Sequence, residues 1–360
     1  MTSPRPGREA VRPATITMLG TQLSGKTTYL VTMYGTLSLG AGRAAVFAGP
    51  NQDHELGEFW ERLLREGQLP PPTAEEPQGY RFAFTYDGRK VAELDWTDFR
   101  GGAMDARVPD DDNLSDTAQL VARLAQSDSL YLVLDGAELA AGRPDAAVAS
   151  ALLTRRMTAL VRGALAGRRA AGRPPPSLVA LVTKADRLVD GICADAGVWQ
   201  AMDATIERVR RLLPVLSEPG TLSLICPVSI GHLGDHQGGR VDPARIDPLW
   251  PEKPVLFSVV AHLDAERARH EADQAGWARE EWQLASDLAR AGRLERRRRR
   301  ELEAAQAAAQ QEQRLCYEAA QACAYWAGLL RPSLDGTPVY LGGARAYPAA
   351  RSPGPDGGRG

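Results

Sequence analysis

Eight consecutive residues near the N-terminus have the types and spacing of a phosphate-binding loop. They run from Gly20 to Thr27 with the sequence Gly-Thr-Gln-Leu-Ser-Gly-Lys-Thr, and Thr28 follows. Every fixed position of the pattern G-x-x-x-x-G-K-[ST] is filled. In such a loop, backbone N–H groups and a helix N-terminus face the phosphates. We therefore expect Ser24, Gly25 and Thr28 to contribute to this cradle together with Gly20.

Two side chains of the loop have chemical roles of their own. Lys26 would reach the β- and γ-phosphates, and the Thr27 hydroxyl would be a ligand of Mg²⁺. The preceding residues 14–19 are apolar and β-branched, as in a buried strand, and residues 27–39 are typical of a helix. The sequence therefore predicts a nucleoside triphosphate site at a strand–loop–helix junction.

An acidic motif follows a second predicted strand. Asp98 stands at the carboxyl end of that strand, and Gly101 completes the pattern D-x-x-G. A carboxylate in this place can hold Mg²⁺ through water, and a glycine N–H can approach the γ-phosphate. Thr73 lies upstream in a Pro-rich loop. It is a candidate to sense Mg²⁺ and the γ-phosphate, or else a loop threonine beside prolines.

A third motif can select the base. The tetrapeptide from Thr183 to Asp186 reads T-K-x-D and follows an apolar strand. The Asp186 carboxylate can accept the N1–H and the amino group of guanine, and the Lys184 stem can lie along the ring. Ser229 and Ile230 end the next strand, where a backbone N–H would meet the guanine carbonyl. Alternatively, these two residues are simply the end of a strand that carries a small polar residue.

Alternating strand and helix patterns predict an α/β fold, with a mostly parallel sheet covered by helices on both faces. A Tyr/Phe-rich strand and its partner, joined by Asp87-Gly88, predict one antiparallel hairpin before Asp98. The expected strands are 14–19, 80–86, 90–97, 129–134, 177–182 and 221–226. A long connection is expected over 40–79, and one Ala/Arg-rich helix over about 145–169.

The predicted domain organisation has four parts. Residues 1–13 are expected to be disordered, 14–265 to form the phosphate-loop domain, 266–330 to form a helical arm, and 331–360 to be a disordered tail. The arm shows an interrupted heptad pattern, which indicates a partial coiled coil. It contains the run Arg296–Arg300, whose simplest interpretation is a solvated helix face because glutamates flank it.

Composition limits the function classes. The 360 residues carry a formal net charge of −2, so no overall basicity favours nucleic acid. The four cysteines show no C-x-x-C pair and no metal-binding spacing with histidine, which is typical of reduced thiols. No apolar run approaches the length of a membrane span, and the polar N-terminus does not resemble a signal peptide. We expect a cytoplasmic protein.

These motifs, in this order, resemble those of Ras-like P-loop GTPases of the TRAFAC class. The Pro-Pro-Thr segment, D-x-R-G-G and T-K-x-D are most similar to the bacterial double-GTPase family. The resemblance covers about residues 14–265. It implies a Ras-like fold, binding and hydrolysis of GTP with Mg²⁺, and a switch role in a multi-protein bacterial system. It also implies a protein partner that contacts the switch loops and the C-terminal helices.

The chain departs from the Ras-like pattern after the D-x-x-G motif. Gly102 stands where such enzymes carry a glutamine that orients water. Intrinsic hydrolysis should therefore be slow. Arg100 could supply transition-state charge, a contribution worth about 10³–10⁵ in kcat where an arginine acts this way, or it could be a solvated loop charge. Two alternatives stay open: an ATP-using P-loop enzyme, and a non-hydrolysing nucleotide-bound scaffold that acts through its helices.

Overall fold

The computed structural model describes residues 11–39, 42–71, 78–98, 120–188, 197–232, 240–291 and 296–346. Strands alternate with helices through most of the chain. The strands are β1 (Ala14–Gly20), β2 (Ala44–Ala48), β3 (Gln78–Tyr86), β4 (Arg89–Asp98), β5 (Ser129–Asp135), β6 (Ser177–Thr183), β7 (Leu222–Pro227), β8 (Ser229–Gly231), β9 (Ile246–Leu249), β10 (Val339–Leu341) and β11 (Ala344–Arg345). The helices are α1 (Lys26–Ser38), α2 (Pro50–Glu66), α3 (Gly136–Ala140), α4 (Asp145–Ala151), α5 (Thr154–Ala170), α6 (Gly197–Leu212), α7 (Lys253–Arg290) and α8 (Arg296–Leu330).

Nine of the described strands form one sheet in the order β11-β10-β7-β6-β5-β1-β4-β3-β2. The five central strands are mutually parallel. Antiparallel strands flank them on both sides. The predicted α/β architecture, with a large, mostly parallel sheet and long C-terminal helices, is confirmed.

The central strands β5 and β6 are apolar along almost their whole length. Every residue of β6 is buried, and so are the first six residues of β5. Such continuous burial arises because both faces of a parallel sheet are covered. Polar side chains are thereby displaced to the strand ends, and the carboxyl ends of β1, β4, β5 and β6 share one edge. That edge is where ligands bind in open α/β sheets.

Two elements differ from the sequence prediction. Strand β2 lies in a segment expected to be a long connection and pairs antiparallel with β3. Its Ala-rich sequence has neither clear alternation nor a β-branched run, so the pattern gave no strand signal. The single helix expected over 145–169 is two helices, because Leu153 between α4 and α5 adopts a left-handed φ of 53°.

The expectation of a disordered tail from 331 to 360 was wrong for residues 331–346. Strand β10 pairs antiparallel with β7, and its first residue, Val339, is fully buried. The Arg210 guanidinium lies 4.6 Å above the ring of Tyr340. Gly342 and Gly343 both have positive φ and make the turn into β11. The glycines therefore form a hairpin turn, and the apolar residues before them complete the sheet.

The chain divides into two compact units. The α/β unit contains residues 13–259 and the segment from 332 onward, and the helical unit contains residues 260–331 and the N-terminal segment up to residue 12. The domain limits expected from the sequence stay a prediction.

Within the helical unit, α7 and α8 run antiparallel. Arg331 donates two hydrogen bonds to the Asp264 carboxylate, and Gln310 donates one to Glu281 at 2.6 Å. Arg12 was expected to be disordered, but its Nε donates to Glu266 at 2.7 Å. The two helices thus form a hairpin held by polar contacts at several levels.

Candidate functional site

The predicted phosphate loop joins β1 to α1. Gly25 caps the N-terminus of α1 with φ 85° and ψ 16°, a left-handed conformation that glycine adopts at low cost. Gly20 has no room for a side chain, since a Cβ there would lie 2.8 Å from Ser24 Oγ and 2.9 Å from Val133 Cβ. Both fixed glycines of the motif are therefore required by the geometry of the turn.

The lysine of the loop folds back over it. Lys26 Nζ donates hydrogen bonds to the carbonyl oxygens of Gly20 and Thr21 at 3.1 and 2.9 Å, and the residue is 5% exposed. The Ser24 hydroxyl is also buried, and no described residue gives it a hydrogen bond. A phosphate oxygen in the loop would satisfy such a buried polar group.

Two of the three predicted Mg²⁺ ligands meet beside the ends of β1 and β4, Thr27 at the start of α1 and Asp98 at the end of β4. Strands β1 and β4 are parallel, with Met18 opposite Asp98. Thr27 Oγ1 donates a hydrogen bond to Asp98 Oδ2 at 3.3 Å, and Asp98 is 1% exposed. Hydroxyl and carboxylate oxygens are the hard ligands that Mg²⁺ prefers. The donor set fits this cation.

The T-K-x-D loop from Thr183 to Asp186, which we expect to select the base, is hydrogen-bonded to the phosphate loop. Thr183 Oγ1 lies 2.7 Å from the carbonyl oxygen of Ser24, to which it can donate. Lys184, in a left-handed conformation with φ 50°, donates to the carbonyl oxygen of Leu23 at 3.2 Å. Its ammonium also forms an ion pair with Asp135 at 2.6 Å. These contacts fix the position of the loop from two sides.

Asp135 was not assigned a role in the sequence analysis. It ends β5, its Oδ1 accepts from the Ala137 N–H at the start of α3, and its Oδ2 accepts from Lys184. The available signal was its place as the first polar residue after an apolar central strand. Many strand ends share that signal, so only the ion pair with Lys184 distinguishes Asp135 from other residues of this kind.

The Asp186 carboxylate is held in a fixed orientation. Its side chain is 6% exposed, and Ser229 Oγ lies 3.0 Å from Oδ1 and 2.7 Å from the carbonyl oxygen of Gly231. The single hydroxyl proton can be donated to either of these acceptors. The N–H of Gly231 in turn donates to Ser229 Oγ. Hydrogen bonding to one carboxylate oxygen restricts rotation of the group, which leaves it suited to bidentate recognition.

One cleft in the α/β unit brings the phosphate and base motifs together. The predicted residues that line it are Gly25, Thr28, Lys184, Asp186, Ser229 and Ile230. Tyr29 and Arg187 line the cleft as well and were not predicted. The hydroxyl of Tyr29 donates to the carbonyl oxygen of Pro251, and burial raises the pKa of this phenol well above its usual range.

Four residues of the sequence-based hypothesis lie outside the described part of the chain. They are Thr73, Arg100, Gly101 and Gly102. Their roles stay predictions, and so do the roles assigned to the other site residues.

Most of the basic run and Trp282 lie on the surface of the helical unit. Four of the five residues in Arg296–Arg300 are exposed, and Arg297 forms an ion pair with Glu301 at 3.0 Å. Trp282 is 73% exposed. Among the described helices, none combines the length and the apolar character that crossing a bilayer requires.

A parallel sheet whose strand ends join a phosphate-loop motif to a T-K-x-D motif is the arrangement of an α/β nucleotide-binding protein. Residues 14–216, more than half of the chain, match the family model of Double-GTPase 2. The chain belongs to this double-GTPase family of P-loop GTPases. The resemblance inferred from the motifs is thus confirmed, and membership supports a GTP-binding function.

One similar solved structure is a crystal structure of a mutation variant of SsGBP. The identity is 14%, the TM-score is 0.30, and the match covers 61% of this chain and 49% of that one. The chain thus spans about half the length of that structure, and a likeness at this level carries no argument. No curated protein matched.

Proposed function

We propose that this protein is a GTP-dependent molecular switch that hydrolyses its nucleotide slowly. The observation that carries the proposal is the link between its two loops. Thr183 and Lys184 donate to the carbonyl oxygens of Ser24 and Leu23, so base and phosphate recognition are built as one unit. A site organised in this way suits a whole nucleotide better than an isolated phosphate.

Base selection would depend on Asp186. Its carboxylate can accept two hydrogen bonds from guanine, whereas the equivalent edge of adenine has no N1–H to donate. Ser229 holds one of its oxygens, which lowers the entropy lost when the base binds. This favours GTP over ATP, and hence a GTPase over an ATP-using enzyme.

Phosphate binding would depend on Lys26 and the backbone of the loop. The ammonium would exchange loop carbonyls, among them those of Gly20 and Thr21, for phosphate oxygens. Thr27 and Asp98 would hold Mg²⁺, with Thr73 as a further candidate. When bound, Mg²⁺ neutralises charge on the β- and γ-phosphates.

Turnover would be slow because Gly102 has no side chain to orient water. Arg100 is the candidate for stabilising charge in cis, and a partner could supply the missing group instead. The γ-phosphate would order the segments around Thr73 and Asp98–Gly102, and hydrolysis would release them. We propose that the C-terminal helices communicate this change to a protein partner in a bacterial multi-protein system, in the cytoplasm.

Nucleotide titration tests the binding site. Wild-type protein should bind GTP in preference to ATP, and Lys26→Ala should abolish tight binding in calorimetry. Lys90→Ala is the matched control, since this exposed lysine pairs only with Glu93 among the described residues. Asp186→Asn should shift the preference toward xanthine nucleotides. Unchanged GTP affinity in Lys26→Ala would disprove the site.

A single-turnover assay tests hydrolysis. Bound GTP should be consumed slowly by the protein alone and faster with cell extract, if a partner completes the site. Tight binding with no hydrolysis in either condition would instead support the non-hydrolysing scaffold, which Gly102 makes a serious alternative.

A further inference from the structure

Three metal-ligating side chains converge within the helical unit, and the proposed nucleotide site uses none of them. They are His270 and Asp273 on α7 and Cys316 on α8, and their ligand atoms all lie within 4.8 Å of one another. We propose that these residues bind one divalent transition-metal ion and that Zn²⁺ fits best. The ion would join the two helices of the hairpin.

The helical geometry explains why the three side chains meet. His270 and Asp273 are three residues apart, so they project from the same face of α7. Cys316 is distant in sequence but lies opposite, because α7 and α8 are antiparallel. The pairs Asp264–Arg331 and Glu281–Gln310 hold the helices on either side of this level. The site therefore rests on two regular elements.

The chemistry of the donors selects the class of metal. An imidazole nitrogen, a thiolate sulfur and a carboxylate oxygen suit Zn²⁺ and similar transition metals, whereas Mg²⁺ and Ca²⁺ require oxygen ligands. Zn²⁺ binds nitrogen at about 2.0–2.1 Å and sulfur at about 2.3 Å. Bonds of this length around a tetrahedral ion place the ligand atoms about 3.3–3.6 Å from one another. Separations as long as the present limit of 4.8 Å would therefore have to shorten when the metal binds. Three protein ligands leave a fourth position for water.

Two local features oppose metal binding, and both must change when the ion enters. Arg269 donates to His270 Nε2 at 3.3 Å and to Asp273 at 3.4 Å, so its guanidinium must turn aside. Its shortest bond, at 2.7 Å, is to Glu266, on the preceding turn, and can be kept. Burial, with the nearby Asp273 and Glu312, raises the pKa of the Cys316 thiol, so a proton must leave when the metal binds.

Cobalt is the direct probe, because Co²⁺ occupies Zn²⁺ sites and absorbs light when it is bound by a thiolate. The reduced full-length protein without nucleotide should bind one equivalent of Co²⁺ with a sulfur-to-metal charge-transfer band. Zn²⁺ should displace it. Cys316→Ser should remove the band, and His270→Ala should weaken Zn²⁺ binding by about tenfold or more, since loss of even outer-shell partners has effects of this size.

Cys323→Ser is the matched control. This thiol lies two turns further along α8, is fully buried and is not part of the cluster. The variant should keep both the band and the Zn²⁺ affinity. Circular dichroism should show wild-type helix content in each variant. Asp273→Asn changes a proposed metal ligand while it leaves every thiol in place. A band that survives Cys316→Ser, or no stoichiometric binding by folded wild-type protein, would overturn the proposal.

Discussion

The hydroxyl of Thr183 lies 2.7 Å from the carbonyl oxygen of Ser24 and 3.1 Å from that of Leu134. A hydroxyl has one proton, so it donates to one of these acceptors at a time. With either acceptor, this side chain ties the end of β6 to a neighbouring segment of the site. The usual Ras-like residue here is an asparagine, whose amide has two protons. Threonine provides part of the same link.

Replacing Thr183 should weaken nucleotide binding without unfolding the protein. Thr183→Val keeps the shape but removes a hydrogen bond worth about 1 kcal/mol, which corresponds to roughly a fivefold loss of GTP affinity. Calorimetry measures the change. The matched control is Thr36→Val, because no described residue bonds the Thr36 hydroxyl. Equal GTP affinity in Thr183→Val and wild type would refute a role for this contact.

Removing the partner of Asp186 should reduce base selectivity more than phosphate affinity. Ser229→Ala deletes the donor at 3.0 Å, so the carboxylate can rotate and its bidentate contact to guanine weakens. We expect the GTP-to-ATP affinity ratio to fall by about threefold to tenfold. This corresponds to about 0.7–1.4 kcal/mol, the usual net contribution of one hydrogen bond. Ser223→Ala is the control, since that buried hydroxyl donates to the carbonyl oxygen of Leu216 in the short 3₁₀ helix Pro214–Ser217. A selectivity loss of the same size in both variants would count against the mechanism.

A side chain at Gly136 should displace the base loop. A Cβ there would lie 2.3 Å from the carbonyl oxygen of Thr183 and 2.8 Å from that of Lys184, both backbone atoms that cannot rotate away. Gly136→Ala should therefore destabilise the fold by about 1–3 kcal/mol and weaken GTP binding. In Gly167→Ala the new methyl group makes an ordinary contact of 3.7 Å with Ala125. It should be neutral or stabilising by up to about 1 kcal/mol, since α5 gains helix propensity. Thermal unfolding compares the two variants.

The helical unit should lose stability in acid through Glu266. Burial alone would raise the pKa of this carboxyl, but hydrogen bonds from Arg269 and Arg12 outweigh it and lower the pKa below its ordinary 4.5. A depressed pKa in the folded state stabilises the protein fully above the unfolded pKa, and this stabilisation is lost as pH falls through the folded pKa.

Glu266→Gln should remove this component of the pH dependence. At neutral pH the substitution should lower the free energy of unfolding by about 1–3 kcal/mol. We expect no more than this because both arginines are about half exposed, so that water screens their charges. The control is Glu271→Gln, whose exposed pair with Arg267 should contribute little. Melting temperatures measured from pH 7 to pH 3 distinguish the two variants. If the melting temperatures of wild type and Glu266→Gln fell in parallel with pH, Glu266 would not be the cause of the acid sensitivity.

The sequence by itself determined the local elements of the nucleotide site. The phosphate loop was recognisable because Gly20 and Gly25 satisfy backbone conditions that few other residues meet, and those conditions act within eight residues. Strands β5 and β6 were equally clear, since burial on both faces requires an unbroken apolar run. The family followed from the order of such motifs.

Only the tertiary structure decided which distant groups meet. The ion pair of Lys184 with Asp135 and the bond of Ser229 to Asp186 depend on how adjacent strands end at one edge. β2 and β10 are strands because of the neighbours with which they pair, and their own sequences carry weak strand signals. The spacing of residues along the chain predicted no second metal ligand for Cys316, but the antiparallel hairpin places Cys316 beside His270. Contacts of this kind depend on the packing of whole elements, which short-range patterns do not encode.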